Sequence, residues 1–338
     1  MSTTLAVTTV PAYLRERGLS FAPDDHWTVQ QLTGGVSGAV YSAFDGVRRV
    51  VVKQSLDKLD VEDDWSAPRE RILNEARVMS MLGDIIPTHS PAALDVDEET
   101  LTLTMEHAPV DWGDWKTELL AGDPDLEVAA GLGRMIGSVH TATSEQMWSL
   151  PPDDGAAGFL GLRIEPFHYA VAERAPDYAE AVEGVADRIL STRRCLVHGD
   201  FSPKNVLVAP RTSERPRQFW LIDDEVGHRG DPTFDVAFFL SHFALKRIRA
   251  GHDRRAQFDR AGHLFVEAYE ETGIALDDRD LSEQIGCLML SRVIGRSRVK
   301  YLTEEQKERA FRVGGALLTM AEQYDRSHPL EILSRDED

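Results

Sequence analysis

Asp200, Asn205 and Asp223 carry the densest chemical signal in this 338-residue sequence. In Leu196-Val197-His198-Gly199-Asp200-Phe201-Ser202-Pro203-Lys204-Asn205, an apolar strand end delivers an aspartate, and an asparagine follows five positions later. A second apolar run, Trp220-Leu221-Ile222, delivers Asp223. The Asp-x-x-x-x-Asn spacing sets both side chains on one short loop facing the same point, with Asp223 arriving from a neighbouring hairpin. Phosphoryl transfer from ATP needs such a set. A carboxylate orients the attacking hydroxyl and accepts its proton, while hard oxygen ligands hold magnesium against the nucleotide phosphates.

Complementary parts lie upstream. Gly34-Gly35-Val36-Ser37-Gly38 falls between two predicted strands, where a side-chain-poor turn lets backbone N–H groups approach phosphate oxygens. Lys53 ends the run Val50-Val51-Val52, so its charge projects from an apolar strand. Glu75 sits on the following helix and is the candidate partner that would hold Lys53 for the α- and β-phosphates; Glu70, on the same helix, is its rival. Glu106-His107-Ala108 reads as a connector whose backbone hydrogen-bonds adenine, which makes Glu106 and Ala108 candidate nucleotide contacts.

The elements that must position these residues follow from periodicity. Pro11 to Gly18 reads as a short helix, with proline in its first turn and glycine at its end. Trp27 to Leu32, Ala39 to Phe44 and Arg48 to Gln54 read as strands, with Asp45-Gly46 as a tight turn. Pro68 to Leu82 has helical spacing, and Leu101 to Met105 alternates as a strand. Helices are expected at 126–140, 177–191, 256–272, 281–299 and 304–324, with short apolar runs at 195–197 and 219–222 between them. This order predicts an α+β chain: a small antiparallel-sheet lobe over 1–107, binding nucleotide, and a mostly helical lobe over 108–338, carrying the catalytic loop and acceptor pocket.

The succession of glycine loop, strand lysine, helix glutamate, connector, His198-Gly199-Asp200-x-x-x-x-Asn205 and Ile222-Asp223-x-Glu225 resembles the aminoglycoside phosphotransferase and choline kinase superfamily. Gly230-Asp231-Pro232-x-Phe234-Asp235 also looks like that family, and the resemblance covers about residues 25–325. It implies a bilobal, protein-kinase-like fold, ATP (or GTP) as donor, and Mg²⁺. It implies Asp200 as catalytic base, Asn205 and Asp223 as magnesium ligands, Lys53 on the phosphates and Asp235 as a buried brace of the catalytic loop. Ser202 stands where protein kinases carry a phosphate-binding lysine, with Lys204 two residues later. Gly38 stands where many relatives have asparagine, so backbone contacts to phosphate are expected there. His198 reads as a core hydrogen-bonder, and Glu225 as a metal-tuning or substrate-contacting group.

The motif reads His-Gly-Asp and Asp-Asp-Glu instead of His-Arg-Asp and Asp-Phe-Gly, and no Ala-Pro-Glu segment follows. The expected acceptor is therefore a small-molecule hydroxyl, with an aminoglycoside or aminosugar first. A methylthioribose-like sugar or amino alcohol is the alternative, as is an inactive nucleotide-binding module. Two features bear on acceptor charge. Acidic residues scattered over Asp111, Asp114, Asp123, Asp125, Asp277, Asp278 and Asp280 would favour an amine. Arg292, Arg296 and Arg298 would favour a carboxylate or phosphate. The net charge of −20 argues against nucleic-acid and anionic-membrane partners. No apolar run is long enough to span a bilayer, and the N-terminus lacks a basic leader, so a cytoplasmic location is expected. Cys195 and Cys287 have no paired spacing and are expected to be buried free thiols.

Overall fold

A turn chemistry and a two-residue period build the first sheet. In the computed structural model, which describes residues 4–20, 26–32, 38–56, 68–145, 155–211 and 216–319, β1 (Thr28–Gln31), β2 (Gly38–Phe44) and β3 (Arg49–Ser55) form an antiparallel meander. Gly46 takes the left-handed backbone (φ 95°) that the turn requires, and Asp45 Oδ1 accepts from the amides of Val47 and Arg48 at 2.9 and 2.7 Å. β4 (Ala93–Asp97) and β5 (Thr102–Glu106) complete a five-stranded sheet in the order β1-β2-β3-β5-β4.

Alternation along β3 sorts its side chains onto two faces. Val50 and Val52 join Tyr41, Ala43, Tyr13 and Leu14 under helix α1 (Val10–Glu16). Val51 faces the other way, with Leu103 and Met105 of β5, against Ile72, Ala76 and Met79 of α2 (Arg71–Ile85). Lys53 is two residues beyond Val51 and shares its face, so the strand aims the ammonium at α2.

The chain divides into two compact units, Met1–Trp112 with Trp220–Glu225, and Gly113–Phe219 with Val226–Asp338. The second begins with β6 (Gly113–Asp114), α3 (Trp115–Leu120) and α4 (Leu126–Glu145). Next come α5 (Ala156–Phe159), a π-helical stretch (Leu160–Tyr169) that carries Pro166, α6 (Ala170–Arg174) and α7 (Ala179–Ser191). β7 (Cys195–Val197) pairs antiparallel with β10 (His228–Gly230); β8 (Val206–Val208) pairs with β6; β9 (Phe219–Leu221) leads into the segment that belongs to the first unit. α8 (Pro232–Arg249), α9 (His252–Glu270), α10 (Asp278–Ile294) and α11 (Glu304–Thr319) follow.

α8 is the axis of the second core, buried from Pro232 to Ile248. Its Phe239 stacks on Phe201, Phe265 and Trp115 at centroid distances of 5.1, 4.2 and 6.0 Å. α4 and α9 approach so closely that a Cβ on Gly133 would collide with the Phe265 carbonyl oxygen. The helix expected over 281–299 ends instead at Ile294, where the Gly295 N–H closes it by donating to the Ser291 carbonyl. Arg296 and Arg298 therefore lie beyond the helix, exposed. Both cysteines are buried and free. Among the described residues, no helix is long and apolar enough to cross a membrane.

Candidate active site

The site residues fall into two groups, one in each unit. In the first, Lys53 Nζ lies 2.8 Å from Glu75 Oε2, 2.6 Å from Asp223 Oδ1 and 3.8 Å from Glu225 Oε2. Helical spacing explains the α2 contribution: Arg71, Asn74 and Glu75 stand at i, i+3 and i+4 on one buried face. Arg71 Nε donates to Glu225 Oε2 at 3.3 Å, and Asn74 Nδ2 donates to the Glu225 carbonyl at 3.2 Å. Glu70 is exposed, which leaves Glu75 as the partner of Lys53. Burial opposes the charge on Lys53, but Asp223, Glu75 and Glu225 override it and hold the ammonium well above its ordinary range. Burial pushes Glu75 up to about 8, against the pull of Lys53, and the two neighbouring carboxylates add to the rise. Asp223 has left-handed backbone (φ 71°), a conformation that short polar residues tolerate and that clusters at functional sites.

In the second unit, β7 delivers the loop that carries Asp200. Gly199 turns with φ 75°, and a Cβ there would meet the Val226 carbonyl oxygen at 2.8 Å. Asp200 follows, buried, with Oδ2 accepting from Arg163 Nη2 at 2.8 Å, Asn205 Nδ2 at 2.9 Å and Lys204 Nζ at 3.0 Å. Asn205 Nδ2 also donates to the Asp200 carbonyl at 3.0 Å. The amide nitrogen is thereby spent on Asp200, and Oδ1 is the atom left to meet a cation. Asp200 and Asn205 here, and Asp223 in the first unit, each carry oxygen atoms of the hard type that magnesium takes.

The loop is braced from α8. Asp235 accepts the amides of His198 and Gly199 at 2.7 and 2.9 Å, and contacts His140 Nε2 at 3.2 Å. His140 Nδ1 in turn meets the Tyr269 hydroxyl at 2.9 Å. Burial works against the Asp235 charge; the His140 contact and the His198 amide outweigh it and hold the carboxyl below its ordinary range. His198 is a buried hydrogen-bonder whose Nδ1 accepts the Asp200 amide at 3.1 Å. Asp235→Asn would set an amide NH₂ against one of these backbone donors. It is expected to cost about 2–4 kcal/mol of unfolding free energy, read by denaturant titration. A depressed carboxyl stabilises above its unfolded pKa and loses that contribution as pH falls through the folded value, so the variant should also show a flatter acid limb of stability.

The remaining expected contacts are placed as follows. Gly34, Gly35 and Ser37 lie outside the described residues. Gly38 starts β2, and a Cβ there would stand 2.7 Å from the Gln54 carbonyl oxygen, so strand approach alone requires glycine. Glu106 ends β5; its amide donates to the Ala92 carbonyl at 2.9 Å, and the Ala108 carbonyl is met by His107 Nδ1. Ser202 is fully buried, with no hydrogen-bond partner for Oγ among the described residues. Arg292 Nη1 donates to Ser297 Oγ at 2.8 Å, and Arg296 is exposed. Glu225 braces Lys53 and Arg71. The sequence reading missed Arg163 and Lys204 as partners of Asp200, and Arg71 and Asn74 as partners of Glu225. For the α2 pair the signal was present, as polar residues on the face that carries Glu75.

The architecture matches known small-molecule kinases. A choline kinase from Cryptosporidium parvum Iowa II superposes with a TM-score of 0.59 at 11% identity, covering 97% of this chain and 100% of the other. An amicoumacin kinase in complex with AMP-PNP and Ca²⁺ superposes with a TM-score of 0.53 at 14% identity, covering 93% of each chain. These likenesses establish the protein-kinase-like α+β fold. In sequence, a methylthioribose kinase from Pectobacterium atrosepticum is 23% identical over 311 residues, spanning 80% of this chain and 75% of the relative. Residues 28–272 match the family model described as phosphotransferase enzyme family. The chain, with the kinase fold and the sequence of a small-molecule kinase with a hydroxyl acceptor, belongs to the phosphotransferase enzyme family.

Proposed function

We propose that the protein transfers the γ-phosphate of ATP to a hydroxyl of a small polyhydroxylated metabolite, with Asp200 orienting the hydroxyl and taking its proton. The observation that carries this reading is the immobilised Asp200 carboxylate, held by Arg163, Lys204 and Asn205 on one short loop. Phosphoryl transfer asks for positioning and charge stabilisation above all, and a fixed carboxylate among cations supplies both. Asn205 and Asp223 are the proposed magnesium ligands; the ion, when bound, neutralises charge on the β- and γ-phosphates. Lys53, held by Glu75, is the proposed contact to the α- and β-phosphates, and Gly34, Gly35, Ser37 and Gly38 the proposed backbone cradle. ATP is the favoured donor over GTP because a structural neighbour of the same fold binds AMP-PNP with a divalent ion.

For the acceptor, a sugar skeleton draws support from the methylthioribose kinase relative. The aminosugar expectation needed carboxylates free to meet ammonium groups. Asp114 and Asp277 cap α3 and α10, Asp123 and Asp125 pair with Arg211 and Arg217, and Asp280 pairs with Arg188, while Asp111 and Asp278 are exposed. The test is an ATP-consumption screen across free sugars, sugar acids, amino alcohols and aminoglycosides, with product identification. ATP binding without consumption in any of them would mark an inactive nucleotide-binding module.

Lys53→Ala should raise the KM for ATP and lower kcat, with kcat/KM falling about 10²-fold or more, because one charge both binds and positions the phosphates. Steady-state kinetics in ATP measure both. Unchanged constants would reduce Lys53 to a counter-ion for buried carboxylates.

A further inference from the structure

Two guanidinium groups lie against one ring in the second unit: Arg163 Cζ is 5.8 Å and Arg292 Cζ 5.7 Å from the Phe167 centroid. Phe167 stacks on Phe238 at 5.8 Å, and Phe238 meets the His242 ring at 5.2 Å. One turn along α8, Lys246 Nζ bonds the His242 carbonyl at 3.3 Å and stands 5.5 Å over the Tyr301 ring. A continuous chain of contacts thus runs from Asp200 through Arg163 to Arg292, and along α8 to Lys246.

The charges of this cluster are out of balance. Asp200 is the carboxylate that answers Arg163. Among the described residues, neither Arg292 nor Lys246 has an ion-pair partner, although Lys246 is 98% enclosed, at 2% exposure. Arg292 Nε, the Tyr301 hydroxyl and His242 Nδ1 are buried without hydrogen-bond partners. Burial, then the charges of Arg292 and Lys116, pull Lys246 down to about 7, with Asp114 the opposing charge. Burial lowers Arg292 as well, with Arg163 adding to the fall and Tyr301 and Asp200 opposing it. Enclosing unpaired cations costs stability, and a chain with net charge −20 has carboxylates to spare for pairing them. Their isolation among the described residues, beside the loop that carries Asp200, suits them to the counter-charge of a ligand.

We propose that the acceptor carries an anionic group, a carboxylate or a phosphate ester, that is seated by Arg292 and Lys246 while its hydroxyl meets Asp200. The inference rests on the phosphotransfer reading of Asp200 and names the acceptor's charge. A planar guanidinium suits a bidentate oxyanion and an ammonium adds a point charge, so the pair recognises carboxylate and phosphate alike. An amine-bearing acceptor would meet like charge.

The test uses matched compounds that differ only in charge: sugars, their aldonic acids, their monophosphates and their amino derivatives. ATP consumption by the purified chain should favour an acid or a phosphate ester over its neutral and amino counterparts by about 10-fold or more in kcat/KM, and the preference should shrink with salt. The two arms separate carboxylate from phosphate. Lys246→Met and Arg292→Met should each raise the KM for that acceptor by about 10-fold or more and leave the KM for ATP unchanged. Ligand-free Lys246→Met should melt at or above the wild-type temperature, because it removes a buried amine that has no ion-pair partner among the described residues. Equal use of the neutral sugar, a preference for amines, or a raised KM for ATP would overturn the proposal. So would a lowered melting temperature in Lys246→Met with the acceptor KM unmoved. Binding is read separately, as the rise in melting temperature that the same acids and monophosphates give in the wild type and not in Lys246→Met. No such rise overturns the anionic acceptor even where a neutral sugar is phosphorylated. A rise without ATP consumption overturns the phosphotransfer reading instead.

Discussion

Asp200→Asn is expected to lower kcat by roughly 10²–10⁴ while the affinity for ATP changes little. The side chain keeps its shape and loses its charge and its ability to accept a proton. In the wild type a single oxygen, Oδ2, takes Arg163, Lys204 and Asn205 at 2.8, 3.0 and 2.9 Å. The amide of the variant has one oxygen to offer. Turned toward those three donors, it presents NH₂ to the acceptor hydroxyl; turned the other way, it presents NH₂ to two cations. Neither orientation gives an acceptor on both sides. The defect should therefore appear in kcat and not in nucleotide binding, as single-turnover kinetics and nucleotide titration would show. Turnover near the wild-type rate would remove Asp200 from the proposed role.

The parts of the site that the sequence made legible are those set by local chemistry. Asp45-Gly46 specifies a turn, which fixes the β2–β3 register, and a two-residue period then places Lys53 on the face of Val51. The Asp-x-x-x-x-Asn spacing is equally local: both side chains sit on one loop and touch. What was not legible depends on burial and on distant partners. α8 is buried on every side from Pro232 to Ile248, with His242, Lys246 and Arg247 among its apolar residues, and a helix buried all round has no amphipathic stripe to detect. Arg163 lies in a π-helical stretch with an internal proline, which has neither helical nor strand period, so nothing in the sequence ties it to Asp200. The end of α10 at Ile294 was missed because Arg292 to Lys300 continues a polar and apolar alternation compatible with helix. Gly295, which ends it, is one residue among many that interrupt helices without stopping them. The acidic scatter looked like one feature in sequence and is several: two helix caps, three ion-paired carboxylates and two exposed ones.

Asp223→Ala should abolish measurable turnover, a loss of about 10³-fold or more, and weaken Mg–ATP far more than metal-free nucleotide. Three carboxylates surround Lys53, but they differ in access. The side chains of Glu75 and Glu225 are 1% and 8% exposed, against 25% for Asp223. Asp223 is therefore the carboxylate proposed to meet a hydrated cation, with Glu75 and Glu225 left to hold Lys53. Removing it leaves Lys53 charged and paired, so the scaffold should survive. The backbone adds a cost of about 1–2 kcal/mol, because alanine tolerates the left-handed conformation at φ 71° less well than aspartate. Asp223→Asn separates that cost from the metal's. Asparagine accepts the same backbone and offers one neutral oxygen, so its stability should match the wild type while its magnesium requirement for half-maximal rate rises steeply. Titrating rate against magnesium in both variants, alongside their melting temperatures, reads the two effects apart. A Asp223→Asn enzyme with wild-type magnesium dependence would show that the ion is held by other groups and that Asp223 serves only to neutralise Lys53.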